Sequence, residues 1–306
     1  MMTIVGRIKL LLASLLLAAT GCAAAADVRV LVVRDDSPVA RQAADQLSRD
    51  FMRFGWSASE VVIGAERSPA NSHREGEQII VGLGARGLAA AAKLAGTRPL
   101  VGALASRAAV EEVGPLSGDR WSVIVLDQPA ERWANLLQLA FPGRTQVGVL
   151  VGPTAQKSMR NLERRLPDHR QSLVSEPLSG ADELVPALER LLPRINVLLA
   201  LPDPTVHNRN TVQPLLLTTY RAGVPVVGYS ESYLQAGCTV ALYSTVPQIS
   251  AQVVESMQQL LEGRAGSGIQ APRYFTVGVN NAVARSLSLS LPPAGELQDR
   301  LRAADQ

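Results

Sequence analysis

The sequence predicts an α/β fold built as two similar lobes, each a mostly parallel sheet covered by helices. Three observations carry this. From Asp27 onward, short β-branched runs alternate with segments of helical period, the signature of βα units. The alternation pauses near residues 126–130 and then restarts as a second series of similar length. The leading run of the first series, Val28 to Val33, is apolar apart from Arg29, as expected of a strand covered on both faces.

Taken in order, Val28 to Val33 is the first strand, and Ser37 is placed to cap a helix whose first residue is Pro38. That helix sets Val39, Ala43, Leu47, Phe51 and Phe54 near one face and stops at Gly55. Strands follow at Glu60 to Ile63, Gln78 to Val81, Pro99 to Leu104 and Trp121 to Leu126, with helices near 85–95 and 107–113. The second series opens with a helix, Ala130 to Ala140. It continues through strands Gln146 to Val151, Gln171 to Ser175, Asn196 to Ala200 and Val224 to Gly228, with helices near 154–166, 181–192 and 208–222. Gly237 reverses the chain into Thr239 to Tyr243. The helix Pro247 to Leu261 then carries Ile249, Val253, Met257 and Leu260 at helical spacing. A Gly-rich stretch at 263–268, a strand Tyr274 to Val279 and a short helix Asn281 to Leu287 complete the pattern, and residues 293–306 are expected as a polar, loosely held tail.

The first 26 residues predict an export signal: Arg7 and Lys9 precede the apolar run Leu10 to Thr20, too short to span a bilayer comfortably. Two processing sites compete. Ala19-Thr20-Gly21-Cys22 resembles a lipobox with Cys22 as the lipidated residue, and Ala24 to Ala26 offers an A-x-A cleavage site before Asp27. Either places the mature chain in the periplasm, with a lipid anchor as the only membrane contact. Removal of the signal takes the formal charge from +3 to about +1. The remaining basic residues are scattered, so nucleic acid is not the expected partner. Cys238 then has no disulfide partner and is expected as a small buried residue. The fold must rest on its core, and a chain that is 47% hydrophobic can build two lobes without staples.

Several motifs invite a chemical reading. Gly82, Gly84 and Gly87 match G-x-G-x-x-G spacing between a strand and a helix, but they follow a middle strand, and no acid for a ribose ends the next one. A tight strand-to-helix turn explains them without a cofactor. Gly228 to Ser232, GYSES, approaches a nucleophile elbow around Ser230, yet the last glycine is replaced by Ser232 and no histidine follows Ser230 in the chain. His73, His169 and His207 sit in polar contexts and are expected as solvated surface residues; no histidine or cysteine spacing suits a metal. What recurs is a polar group at each strand's carboxyl end: Ser37, Gly84 with Arg86, Ser106, Asp203 with Thr205, and Ser230 with Glu231. Such ends form the ligand crevice of open α/β sheets, and here they suit a small polar or zwitterionic molecule. Tyr243, at the end of the last crossover strand, joins this candidate set.

The wording of the C-terminal half resembles a known family. LLALPDPTV (198–206), TTYRAGVPVVGYSESYLQAGCTVALYS (218–244), SMQQLLEG (256–263) and FTVGVNNAVARSLSLSLP (275–292) are similar to the substrate-binding proteins of the uncharacterised ABC-type transport group, which have the type I periplasmic-binding fold. The resemblance implies two Rossmann-like lobes joined by three crossovers, one lobe of residues 27–126 plus 245–268 and the other of 127–244 plus 269–292. It places the hinge near Asp127, Ser244 and Gly268. It implies a monomeric, non-enzymatic protein without a cofactor, whose lobes close on a small ligand, by default an amino acid or small carboxylate. The implied partner is an ABC permease in the inner membrane. A sensory protein of the same fold, reporting to a membrane-bound partner, is the alternative reading, and a hydrolase using Ser230 a remote one. Asp203 and Thr205 resemble the family's D-x-T loop and Glu231 its post-strand acid. The chain departs from the family at RDDSPVARQ (34–42) and STVPQISAQ (244–252), both on ligand-facing loops.

Overall fold

The computed structural model describes residues 28–64, 76, 78–116 and 118–305; the signal segment, Cys22 and His73 lie outside them. The first lobe runs β1 (Arg29–Arg34), α1 (Pro38–Arg53), β2 (Ser57–Val62), β3 (Ile79–Leu83), α2 (Gly84–Ala95), β4 (Leu100–Ala105), α3 (Arg107–Val113) and β5 (Trp121–Val125). The second runs α4 (Ala130–Ala140), β6 (Gln146–Val151), α5 (Gln156–Arg165), β7 (Ser172–Pro177), α6 (Leu184–Leu191), β8 (Val197–Leu199), α7 (Val212–Arg221), β9 (Val226–Gly228), α8 (Glu231–Ala236) and β10 (Val240–Tyr243). The chain then forms α9 (Val246–Leu261), β11 (Gly268–Gln270), β12 (Thr276–Val279), α10 (Asn281–Ser286) and α11 (Ala294–Ala304).

The two six-stranded sheets have the same plan. Their orders are β2-β1-β3-β4-β5-β11 and β7-β6-β8-β9-β10-β12, so each lobe's first strand lies between its second and third. All pairings are parallel except β10 with β12, where Tyr243 faces Thr276 and Val240 faces Val279. This register fixes how the lobes meet. The chain leaves the carboxyl end of β5 for α4, leaves the carboxyl end of β10 for α9, and leaves the carboxyl end of β11 for the start of β12, which lies beside the carboxyl end of β10. All three crossovers therefore join the carboxyl edge of one sheet to that of the other, so that the two carboxyl edges face one another, the edges at which open α/β sheets form crevices.

Each sheet is buried by helices on both faces, which accounts for the unbroken apolar runs: Val30 to Val33 and Ile79 to Val81 are at most 2% exposed. α9 returns to the first lobe and packs against α1, with Ile249, Val253, Met257 and Leu260 sharing a core with Leu47 and Phe51. The α1 stripe differs in part from the periodicity reading. Ala40, Ala43, Ala44, Leu47 and Phe51 are buried, whereas Val39 and Phe54 are half exposed, because the small alanine side chains let α9 approach.

Two further readings are corrected by packing. The Gly-rich stretch does not end the first lobe at Gly268, because Gly268–Gln270 pairs in parallel with Ser122 to Ile124 and adds an edge strand; the third crossover lies at residues 271–275. The tail is not loose. α11 packs on α4, burying Leu297 and Leu301 completely, since a stripe of two leucines four residues apart completes the second lobe's core.

Candidate functional site

The three crossovers are tied to one another by side chains. Gln128 Nε2 donates to Ser244 Oγ (3.0 Å), and Ser244 Oγ donates to the Tyr274 carbonyl (2.7 Å), linking first, second and third in turn. Arg132, 5% exposed on α4, donates to Gln128 Oε1 (2.6 Å) and the Pro272 carbonyl (2.9 Å), stacks 4.2 Å from the Phe275 ring centroid and pairs with Asp305 beyond α11. From α9, Gln248 and Gln252 hold the third crossover through the Phe275 and Ala271 carbonyls, each at 3.1 Å. Side-chain hydrogen bonds can rearrange without unfolding either core, which the hinge implied by the family resemblance would require at this place.

On the first lobe's edge, Asp35 accepts from the Ser37 N–H (3.0 Å), and Ser37 Oγ accepts from Ala40 N as the α1 cap. Hydrogen bonding from Ser37 holds the Asp35 carboxyl below its usual range, with Arg86 and Arg34 adding their charge. Gly84 has φ +76° and a side chain there would sit 3.7 Å from Asp35, so Ser37, Gly84 and Asp35 converge. The other motif glycines serve packing: a Cβ on Gly82 would lie 2.7 Å from Leu88 Cα, and one on Gly87 2.7 Å from the Val33 carbonyl. The glycine motif is a tight strand-to-helix turn. Ser106 caps α3 through Ala109 N, and the Arg107 N–H donates to Asp127 Oδ2 (2.7 Å). Burial raises the Asp127 pKa, while the N–H and charge of Arg107 oppose that.

On the second lobe's edge, Asp203 behaves differently from its sequence reading. It is 1% exposed, and its carboxylate accepts three backbone N–H bonds, from Thr154 (3.0 Å), Ala155 (2.9 Å) and Thr205 (2.9 Å). It clamps the β6–α5 turn to the β8–α7 loop, is turned inward and does not line the cavity between the lobes. Gly152 is required beneath it, because a Cβ there would collide with the carboxylate. Thr205 serves the same loop through its backbone N–H.

The Asp203 turn also pulls His207 inward, its N–H bonding the Asp203 carbonyl at 2.8 Å. The expectation of a solvated His207 is therefore corrected. Its Nδ1 lies 3.0 Å from Tyr233 Oη, and its ring packs edge-on to Tyr229 and Tyr233, at 5.7 and 5.5 Å. Its Nε2 has no partner among the described residues, and burial lowers its pKa to about 4. His169 is also pinned, between Gln138 and Glu131 at 3.0 and 2.9 Å.

Ser230 caps α8 by accepting from Tyr233 N (3.1 Å) and shares a hydrogen bond with Ser232 (3.0 Å); the histidine of this loop cluster bonds Tyr233 instead. Ser230 is thus placed as a capping residue and not as an activated nucleophile. Glu231 is exposed and close enough to Tyr243 for its charge, after burial, to raise the phenol's pKa. Cys238 is buried, and its thiol is pushed up to about 12 by desolvation.

Between the lobes lies a cavity of about 240 Å³. Arg107 and Asp127 enter it from the first lobe's edge, Gln128 and Trp133 from the hinge side, and Lys157 with Ser158 from α5. Lys157 also reaches across to Glu111 on α3, an ion pair between lobes. The structure thus gathers Ser37 with Gly84, and Glu231 with Tyr243, while the cavity itself is lined by residues the strand-end rule passed over, apart from the neighbourhood of Ser106. Arg107 and Lys157 carried one legible signal, a place in the first turn of the helix after a strand, and Gln128 lies in the connection between β5 and α4.

No protein-family model matches the chain, and a search of curated proteins finds no match. Solved structures do resemble it. A ligand-free, open substrate-binding protein with adhesive properties from Clostridium difficile is 12% identical with a TM-score of 0.72, over 87% of this chain and 96% of that one. The ABC domain in complex with L-Trp from Streptococcus pneumonia is 11% identical with a TM-score of 0.62, over 89% and 98%. A LacI family transcriptional regulator from Bifidobacterium animalis is 11% identical with a TM-score of 0.53, over 81% and 95%. At these identities the likeness is one of fold, and on that ground, together with the two matched sheets and three crossovers, the chain has the type I periplasmic-binding-like fold.

Proposed function

We propose that the protein is an exported solute-binding protein of an ABC-type importer, which holds a small polar molecule, an amino acid or small carboxylate, between lobes that close about the hinge. One observation carries the reading: three crossovers joining the carboxyl edges of two sheets through a Gln128–Ser244–Tyr274 chain, with a polar cavity beside them. Such a hinge allows closure, and closure buries a ligand from both sides without any covalent step. The L-Trp complex and the substrate-binding protein among its structural neighbours support binding, and the basic, apolar start of the sequence supports export. An ABC permease in the inner membrane is the partner this reading requires. A transcriptional regulator among the neighbours leaves room for a role other than transport, and a membrane-bound sensor is the second partner to test.

Thermal-shift screening of the mature protein against amino acids, carboxylates, sugars and nucleosides tests the reading. A ligand that binds tightly raises the melting point by mass action; a flat response across the whole panel sinks it. Intact-mass measurement of protein from membranes decides whether Cys22 carries lipid or the chain begins at Asp27.

A further inference from the structure

Resting on that reading, we infer that the ligand is a small organic acid, its carboxylate held between Arg107 of the first lobe and Lys157 of the second, with Lys157 exchanging Glu111 for the ligand as it binds. The cavity lining contains two cations, Arg107 and Lys157, and one acid, Asp127. Lys157 is paired with Glu111, whereas Arg107 gives Asp127 a backbone N–H and acts on it by charge, and its guanidinium forms no hydrogen bond or ion pair among the described residues. A guanidinium presents a planar fork of donors that matches a carboxylate.

A second observation narrows the choice. Anions in α/β crevices are commonly met by helix N-terminal N–H groups. Here the turn that opens α5 beside the cavity is already occupied, because Asp203 takes the N–H groups of Thr154 and Ala155. Arg107 and Lys157 are the cationic side chains facing the space, placed to meet a ligand carboxylate beside a turn whose N–H groups are already taken.

The backbone is also shaped to present Arg107. β4 slips its register between Ala103 and Ala105, and Leu104 between them has φ +61°, a left-handed conformation that a leucine adopts only when its surroundings impose it. The extra residue turns the strand end so that Ser106 caps α3 and Arg107 follows at the cavity. At about 240 Å³ the cavity has room for a small molecule.

Isothermal titration and thermal shift of the mature chain with succinate, glutarate and L-glutamate, against L-leucine and ribose as uncharged-side-chain and neutral controls, test the inference. The acids are expected to bind, with affinity falling about 10- to 100-fold in Arg107→Gln and in Lys157→Gln, each losing one charge-assisted bond. Both variants should melt close to the parent, since neither side chain supports a core. Glu111→Gln should tighten binding by a few-fold by releasing Lys157. If ribose or leucine binds instead and the two variants leave its affinity within two-fold, the acid assignment is overturned while solute binding stands. If no compound in this or the broader panel binds, both fall. If the acids bind and neither variant weakens them, the Arg107–Lys157 site is overturned.

Discussion

Replacing Asp203 with asparagine separates a loop clamp from a ligand contact. The carboxylate accepts three backbone N–H bonds of 2.9 to 3.0 Å at 1% exposure. Asparagine keeps the shape but has one oxygen. If that oxygen serves Thr154 and Ala155, the amide NH₂ faces the Thr205 N–H, leaving one buried donor orphaned. The orphan costs about 1–3 kcal/mol, and two bonds weakened from charge-assisted to neutral add about 1 kcal/mol. A net loss of about 2–4 kcal/mol corresponds to a fall in Tm of about 3–7 °C for a chain of this size. Circular-dichroism melts and urea titrations of the parent and Asp203→Asn proteins measure it. A variant that melts within 1 °C of the parent would refute the clamp, and the loss of ligand binding in such a variant would return Asp203 to the binding surface.

Other consequences are equally direct. His207 has a folded pKa of about 4 against 6.5 ordinarily, so the unfolded chain takes up the proton first. Stability from this group is fully present above about pH 6.5 and is lost as pH falls toward 4, by about 3 kcal/mol; urea midpoints across that range should flatten in His207→Gln. Gly152→Ala drives a methyl into Asp203 and should cost about 1–3 kcal/mol, read as a lower Tm. Deleting residues 293–306 uncovers the core that Leu297 and Leu301 complete and strips Arg132 of Asp305, a loss of about 3–6 kcal/mol from the leucines alone, visible as early melting or protease sensitivity. Gln128→Ala cuts the chain joining the three crossovers; small-angle scattering should show a broader spread of lobe separations while both cores melt near the parent.

Much of the fold was legible because burial on both faces of a parallel sheet writes continuous apolar runs, and amphipathic helices write a 3.6-residue period. The exceptions have local causes. β11 is three residues of intermediate burial beside glycines, with no apolar run to announce it. α11 has only Leu297 and Leu301 on an otherwise polar surface, a stripe that gains meaning once α4 is seen to lack a cover.

The site divides along the same line. Sequence by itself determined the doubled α/β order, the cap at Ser37, and the crowding of polar residues at strand carboxyl ends, because each of these depends on neighbours within a few positions. Whether a polar residue at such an end faces inward or toward the cleft depends on partners far along the chain. Asp203 turned inward to Thr154 and Ala155, His207 folded under Tyr229 and Tyr233, and Lys157 reached Glu111 across the lobes. Those pairings span from 22 to 49 residues, and only the tertiary structure, by bringing two sheet edges face to face, decided them.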